Sequence, residues 1–190
     1  MPQTGLAKEA FDRQGYEAAI ARAQSGAADV DYLFLRQQAA ISHHYAFPRW
    51  DDLPKADAAL DSAPARSLAL AQARLKDVWV DMFAHAVARM ALIKLGRTAE
   101  AAQEKTIIDG LIRSIMGGHS GKSAQDAFNA VTIDEEYAFL ALGGMKTTRQ
   151  ALSNVEGHNF DVMTVKSAQD SGEELTLWFN IDSFFGKEFQ

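Results

Sequence analysis

The chain has 190 residues, of which 47% are hydrophobic and 23% are charged, with a formal net charge of -6 and no cysteine. This composition excludes disordered and low-complexity classes, and the length suits one domain or two small ones. The acidic balance argues against nucleic acid or an anionic membrane as the main partner, because both require a positive surface. The absence of cysteine excludes disulfides, thiolate metal sites and thiol nucleophiles.

The first residues and the apolar runs bear on localisation. Residues 1–6 lack the basic segment and apolar run of a signal peptide. We therefore expect a periplasmic or secreted protein if a signal peptide was trimmed, and a cytoplasmic protein otherwise. The longest apolar runs are much shorter than the roughly 20 residues that cross a bilayer, which predicts a soluble protein without membrane insertion.

Through the first two thirds of the chain, apolar residues recur every three or four positions, which predicts a series of amphipathic helices. The predicted helices cover residues 8–24, 29–44, 52–60, 62–75, 77–95 and 99–116. Asp29 and Asp77 are the predicted N-caps of the second and fifth helices. The inward face of the second helix is predicted to contain Val30, Leu33, Phe34, Gln37, Ala40 and Ile41.

Two features of the last pair of predicted helices indicate close packing. Residues 95–101, which read LGRTAEA, resemble the inter-repeat turn of tetratricopeptide helical arrays, although the period of about 34 residues is not repeated cleanly. On the sixth helix, small side chains recur every four residues and would let a neighbouring helix approach closely. These residues are Ala102, Thr106, Gly110 and Ser114.

The pattern changes after the loop at residues 117–123. Ser123 is predicted to cap a short turn, residues 131–133 to form a strand, and residues 134–142 to form a helix with acidic residues in its first turn. Three alternating segments follow at 148–155, 158–166 and 174–182, and they predict an antiparallel meander. The inward face of the last strand is predicted to contain Leu175, Leu177, Phe179 and Ile181.

These elements together predict an α+β fold. Residues 1–116 would form tetratricopeptide-like helical hairpins, and residues 117–190 would form an α+β region with a small antiparallel sheet. Three strands alone would be marginally stable, so the sheet must pack on another element. We therefore expect one integrated unit in which the helical hairpins pack on the sheet.

Residues 121–123, Gly-Lys-Ser, end like a phosphate-binding loop. The full motif needs glycine where Met116 stands, a strand before the loop and a long helix after it. Here a predicted helix precedes the loop and only a short turn follows. The favoured interpretation is a structural loop with a helix cap.

Other reactive constellations are equally weak. His119, His158 and Asp161 would form a metal site only if the loop folded over the sheet, and no spacing enforces this. Glu135, beside Glu136 and Tyr137, fits a helix N-terminus better than an acid–base pair, because adjacent helical side chains diverge. No serine lies in a nucleophile motif. The sequence thus predicts no catalytic residue, no metal and no cofactor.

Between residues 95 and 182 the order of short motifs is similar to that of one bacterial family, which is catalogued as a domain of unknown function and often occurs in exported proteins. The motifs are LGR at 95–97, GKS at 121–123, AF at 127–128, DEEY at 134–137, LG at 142–143, QAL at 150–152, FDV at 160–162 and FNID at 179–182. The resemblance implies no activity. It favours the bacterial envelope or the exterior as the localisation, and it marks the loop, the helix start and the last strand end as a shared surface.

Three interpretations of the function remain open. The first is a non-enzymatic protein- or peptide-binding module of a bacterial envelope or antagonism system, because helical-hairpin arrays present concave binding faces. One version is an immunity-type protein whose acidic surface meets a basic toxin. The alternative is a small-ligand binder or hydrolytic enzyme that uses the 117–123 loop and the sheet ends. A purely architectural role in a larger assembly is a third interpretation.

The candidate binding residues are chosen from the loop, the start of the predicted helix and the sheet ends. They are His119, Lys122, Glu135, Tyr137, His158, Asp161, Trp178, Asn180 and Asp182. An enzyme or small-ligand site would require the residues of the loop and the sheet ends to converge in one pocket. Trp178 would be a binding anchor if it were exposed, whereas aromatic residues in α+β folds are more often packed under a helix.

Overall fold

A computed structural model describes residues 10–167 and 172–187, and these residues confirm the α+β class. The helices are α1 (Arg13–Gln24), α2 (Tyr32–Ser42), α3 (Leu53–Ala59), α4 (Pro64–Asp77), α5 (Met82–Lys94), α6 (Thr98–Met116) and α7 (Ile133–Leu142). The strands are β1 (Phe128–Asn129), β2 (Met145–Val155), β3 (His158–Ser167) and β4 (Leu175–Asn180). Residues 8–9 of the first predicted helix lie outside the described residues.

The two N-caps predicted from the sequence, Asp29 and Asp77, are wrong by two and four residues. The carboxylate that caps α2 belongs to Asp31 rather than Asp29, and it accepts the N–H of Phe34 at 2.9 Å. α5 is capped by Asp81, whereas Asp77 is the last residue of α4. Residues 78–80 connect α4 to α5 as a buried, non-helical segment. The helix predicted to begin at Asp77 therefore begins only after this segment.

The buried face of α2 also differs from the prediction. Leu33 is 41% exposed, whereas Leu35 is fully buried. The buried residues of this helix are Leu35, Arg36, Ala39 and Ala40. Arg36 therefore occupies the centre of the buried face, where a regular amphipathic pattern would have an apolar residue.

Helices α4, α5 and α6 follow one another through short connections and pack side by side. The small-residue ridge on α6 contacts α2 at two of its four positions. The ring of Tyr32 covers Gly110, where a Cβ would lie 2.2 Å from the ring. Ser114 Oγ accepts a hydrogen bond from Arg36 at 3.2 Å. Only a small residue at position 110 permits this approach.

The sheet has the strand order β1-β4-β3-β2. The predicted antiparallel meander is present as β2, β3 and β4, while β1 is a short strand parallel to β4. β2 lies at the outer edge and contains an irregularity between Thr147 and Arg149. The strand predicted at 131–133 is wrong, because Thr132 caps α7 and accepts the N–H of Glu135 at 3.3 Å.

One apolar core joins the helical region to the sheet. It contains side chains of α2, α5 and α6 together with those of β1, α7, β3 and β4. At its centre the ring of Phe179 lies 5.5 Å from that of Phe128 and 5.9 Å from that of Phe139. The predicted inward face of the last strand is buried except at Leu175, which is 55% exposed.

Candidate functional site

The first group of candidate residues lies where β3 begins and β4 ends. His158 Nδ1 lies 2.6 Å from Asp182 Oδ2, and the Asn159 N–H donates to Asp182 Oδ1 at 2.7 Å. The backbone N–H of Asp182 donates to Asn180 Oδ1 at 3.0 Å. The sheet ends therefore bring three candidates together, and the Asp182 carboxylate is engaged by His158 and Asn159.

The carboxyl of Asp182 titrates abnormally for this reason. Burial raises the pKa of Asp182, but hydrogen bonds from the Asn159 backbone, His158 and the Asn159 side chain outweigh it, so the pKa lies below its ordinary value of 3.8. The ionised carboxylate thus stabilises the fold above that ordinary pKa, and the contribution is lost as the pH falls through the lowered value.

An Asp182→Asn variant is therefore expected to be less stable than the wild type near neutral pH, and the difference should shrink in acid. Urea unfolding of both proteins near neutral pH and well below pH 3.8 measures it. A difference that stays constant over this range would contradict the assignment of the lowered pKa.

The second group lies in the 117–123 loop. His119 Nδ1 is 3.0 Å from Asp126 Oδ1, while the backbone N–H and the hydroxyl of Ser120 both donate to Asp126 Oδ2. These bonds from Ser120, and then that from His119, hold the pKa of Asp126 below its ordinary value. A serine hydrolase needs histidine between serine and carboxylate, whereas here the carboxylate lies between the other two. The arrangement stabilises a turn and does not activate a nucleophile.

Two further candidates, one within this loop and one beside it, do not join the cluster around Asp126. Lys122 is exposed. Trp178 is half-buried on β4, its ring centre lies 5.8 Å from that of Phe160, and its backbone N–H donates to the Gly121 carbonyl at 2.8 Å. In the part of the chain that the structure describes, no group of three histidine, aspartate or glutamate side chains could hold a metal ion.

Glu135 lies in a buried ion pair with Arg36. The two side chains are 4% and 0% exposed, and Arg36 Nε donates to Glu135 Oε1 at 2.8 Å. Arg36 Nη2 donates both to Glu135 Oε2 at 2.9 Å and to the Asn129 carbonyl at 2.6 Å. Val131 N–H also donates to Glu135 Oε2 at 3.0 Å. Because its oxygens are already occupied, the Glu135 carboxylate cannot serve an incoming ligand without breaking the fold.

A cavity of about 500 Å³ lies between the connector at residues 47–54 and the N-termini of α5 and α7. Its walls include four aromatic side chains, and we call it the aromatic cavity. They are Phe47, Trp50, Phe83 and Tyr137. Two prolines, an alanine and aliphatic residues complete the wall, so most of the lining is apolar.

The charged residues that line the aromatic cavity are Arg49, Arg74, Asp81, Asp134 and Glu135. Arg74 Nε donates to Asp81 Oδ2 at 2.6 Å, and both side chains are largely buried. Asp134 lies at the solvent-exposed mouth of the cavity but is partly covered by neighbouring protein, and its Oδ2 accepts the backbone N–H of Phe47 at 3.3 Å.

The pKa of Asp134 is raised above its ordinary value. Burial of the carboxyl among the surrounding protein is the main cause. The hydrogen bond from Phe47 and the charge of Arg74 lower the pKa, while the charges of Asp81 and Glu135 raise it further. The folded protein therefore holds this carboxylate at a free-energy cost when it is ionised.

Tyr137 is fixed at the same cavity by a chain of hydrogen bonds. Its hydroxyl donates to Gln150 Oε1 at 2.6 Å, and Gln150 Nε2 donates to Asp161 Oδ2 at 2.8 Å. Burial, followed by the charges of Glu136 and Asp161, raises the pKa of Tyr137. Asp161 is buried on β3, so this candidate supports Tyr137 and does not face solvent.

A second cavity, of about 410 Å³, lies among α4, α5 and α6 and contains His85. His85 Nε2 lies 2.7 Å from the Trp79 carbonyl, and Nδ1 lies 2.6 Å from Glu104 Oε2. Because a carbonyl only accepts, Nε2 donates to Trp79, and Nδ1 faces the Glu104 carboxylate. Both nitrogens are engaged, so His85 fastens α5 to α6 and offers no free nitrogen to a substrate.

Sequence reasoning missed the residues that form the aromatic cavity, apart from Tyr137 and Glu135. One signal was available at α7. Thr132 and Glu135 stand three apart, as in a capping box, and this pattern marks a helix start instead of a strand. It would have replaced the strand predicted at 131–133 by the N-cap and first residue of α7.

No helix within the described ranges is both long and apolar enough to cross a bilayer. Comparison with known proteins finds no matching family model, no matching curated protein and no matching solved structure. The similarity to a bacterial family of unknown function therefore stays a prediction that rests on the short motifs alone.

Proposed function

We propose that the chain is a non-enzymatic protein- or peptide-binding module that receives a partner's side chain in the aromatic cavity. The observation that carries the proposal is the cavity itself. It has about 500 Å³ of space, aromatic walls and a few fixed polar groups at its mouth. This combination of size and lining is typical of binding sites, and exposed tryptophan and tyrosine are frequent anchors of recognition.

The polar groups of the cavity favour binding over catalysis. The Arg74 side chain is paired with Asp81, and the Glu135 side chain is paired with Arg36. General acid–base chemistry needs a side chain that exchanges a proton with the substrate within hydrogen-bond reach, whereas Asp81 and Glu135 are held in ion pairs. In the cavity lining these pairs hold the wall in place, while Asp134 and Tyr137 are left to face a ligand.

The alternative site at the loop and the sheet ends has less support. His119 belongs to the loop cluster, while His158, Asn180 and Asp182 belong to the sheet-end cluster. Neither of the two cavities is lined by these residues, by Lys122 or by Asp161. A ligand at the loop and the sheet ends would compete with the hydrogen bonds that Asp126 and Asp182 already accept.

We place this module in a bacterial envelope or antagonism system, with an immunity-type role as its specific form. The net charge of -6 supports this setting, because an acidic protein attracts a basic partner and repels nucleic acid. The motif similarity to a family that often occurs in exported proteins supports the same setting.

A selection of short random peptides on the immobilised chain tests the proposal. We expect enriched peptides whose affinity falls about tenfold or more in a Trp50→Ala variant, since an aromatic anchor of a pocket carries much of the binding energy. Trp178→Ala is the matched control, because it removes a half-buried tryptophan outside the cavity. Failure to enrich any peptide, or equal loss in both variants, would contradict the proposal.

A further inference from the structure

We infer that the side chain received by the aromatic cavity is cationic, an arginine or lysine of a basic protein partner. This inference rests on the proposed function and adds the chemical class of the ligand. It follows from the charges that line the cavity, from the direction in which the Tyr137 hydroxyl donates its hydrogen bond, and from the aromatic walls.

The first step is the charge balance of the lining. The cavity is lined by two arginines, Arg49 and Arg74, and three carboxylates, Asp81, Asp134 and Glu135. Arg74 neutralises Asp81, and Arg36 neutralises Glu135 from behind the wall. Arg49 is 90% exposed and lies 3.2 Å from Asp51. Asp134 is therefore the lining carboxylate that no ion pair of the described residues neutralises.

The second step is the direction of the hydrogen bonds at Tyr137. An ionised carboxylate only accepts, so the Gln150 amide must present its NH₂ group to Asp161. Its oxygen then faces the Tyr137 hydroxyl and accepts the phenolic proton. The Tyr137 oxygen consequently has only lone pairs left for any further partner. Both Asp134 and Tyr137 thus accept hydrogen bonds, and a ligand that meets them must donate.

The third step concerns the rest of the wall. Trp50, Phe47 and Phe83 present aromatic rings, which attract a cation through the negative potential above their faces. Pro48 and Pro54 have no backbone N–H that could bind an anion. Arginine and lysine have long apolar stems with a charged donor group at the tip. The apolar stem of such a side chain can pack against the apolar walls of the cavity, and its charged tip can donate to the carboxylate of Asp134 at the mouth.

The energetics of Asp134 agree with this geometry. The raised pKa means that protonation stabilises the folded chain, with the contribution complete below the ordinary value of 3.8 and lost as the pH rises through the raised value. Near neutral pH the ionised Asp134 therefore opposes folding, and a bound cation would offset that cost. Arg74, Asp81 and Glu135 are the charged groups that act on it.

The experiment uses the peptides enriched on the wild-type chain, which we expect to carry arginine or lysine at one fixed position. A synthetic peptide with citrulline in place of that arginine keeps its shape and loses its charge. We expect the wild type to bind the citrulline peptide at least about tenfold more weakly, because a charge-assisted hydrogen bond is lost. Asp134→Asn should bind both peptides with similar, low affinity.

Glu17→Gln is the control variant, since it removes the same charge from an exposed position that does not line the cavity. It should keep the preference for arginine. Asp134→Asn is expected to be at least as stable as the wild type near neutral pH, so weak binding would not reflect misfolding. Affinity of the wild type for the arginine peptide should also fall in acid as Asp134 is protonated, while that of Asp134→Asn should not.

The outcomes separate the two proposals. Peptides that lose affinity in Trp50→Ala but carry no fixed cation, or that bind equally as citrulline analogues, would overturn the cationic ligand and leave the binding module intact. Enrichment of acidic peptides would do the same. Failure to enrich any peptide would overturn the binding module, and the cationic ligand with it.

Discussion

Replacement of Arg36 by methionine is expected to lower the free energy of unfolding by about 3–5 kcal/mol, the loss typical of breaking a buried ion pair from one side. The substitution leaves Glu135, 4% exposed, as an uncompensated buried charge. It also removes the donors to the Asn129 carbonyl and to Ser114. Urea unfolding near neutral pH, followed by circular dichroism, measures the change.

Two controls make this result specific. Arg22→Met removes an exposed ion pair with Asp29, and its effect should stay below about 1 kcal/mol. A double substitution of Arg36→Met with Glu135→Leu should recover part of the loss, because it removes the orphaned charge as well. A loss of less than about 1 kcal/mol in Arg36→Met alone would show that the pair is not buried as described.

Replacement of Phe179 by alanine is the second large change. The ring is fully buried between Phe128 and Phe139, where the helices meet the sheet. We expect a loss of about 3–5 kcal/mol, which combines the lost burial of the ring with the cavity that it leaves. The same unfolding measurement applies.

Leu175→Ala is the matched control on the same strand. Leu175 points to the same side of β4 by alternation, but it is 55% exposed. Its loss should stay within about 0.5 kcal/mol, as expected of a surface substitution. Similar losses in the two variants would mean that the core is not centred on Phe179.

The predictions from sequence succeeded where one element carries its own periodic signal. β3 and β4 alternate, and their alternation predicted both the meander and the buried residues Phe179 and Ile181. The same alternation assigns Leu175 to the buried side of β4, although this residue is 55% exposed. The pattern therefore could not show where along the strand burial ends. α7 was also predicted, because acidic residues in its first turn fit the helix dipole.

The helix α2 was predicted, but its buried face was not, because a buried charge interrupts the periodic signal. Arg36 occupies the inward face, and its partner Glu135 is 99 residues away in the chain. A pattern of apolar spacing gives an arginine to the solvent side, which moved the predicted face toward Leu33. Only the tertiary contact between α2 and α7 shows that this arginine is neutralised inside the protein.

The aromatic cavity could not be predicted for a related reason. Its wall is assembled from the connector at 47–54, the start of α5 and the start of α7. Each segment looks ordinary alone, as an aromatic loop or as a capped helix end. Asp134 in particular looks like a dipole-stabilising residue, and its raised pKa arises only after the other two segments pack around it.

The long edge strand β2 has a consequence for how copies of this chain meet one another. An edge with free backbone groups can recruit the same edge of a second molecule, and growth of such contacts leads to aggregation. β2 interrupts its own regular pairing between Thr147 and Arg149, and it places Lys146 beside that break. When two copies approach edge to edge, their Lys146 side chains repel each other and the distorted backbone pairs poorly. Both effects disfavour aggregation through β2 relative to a flat, uncharged edge strand.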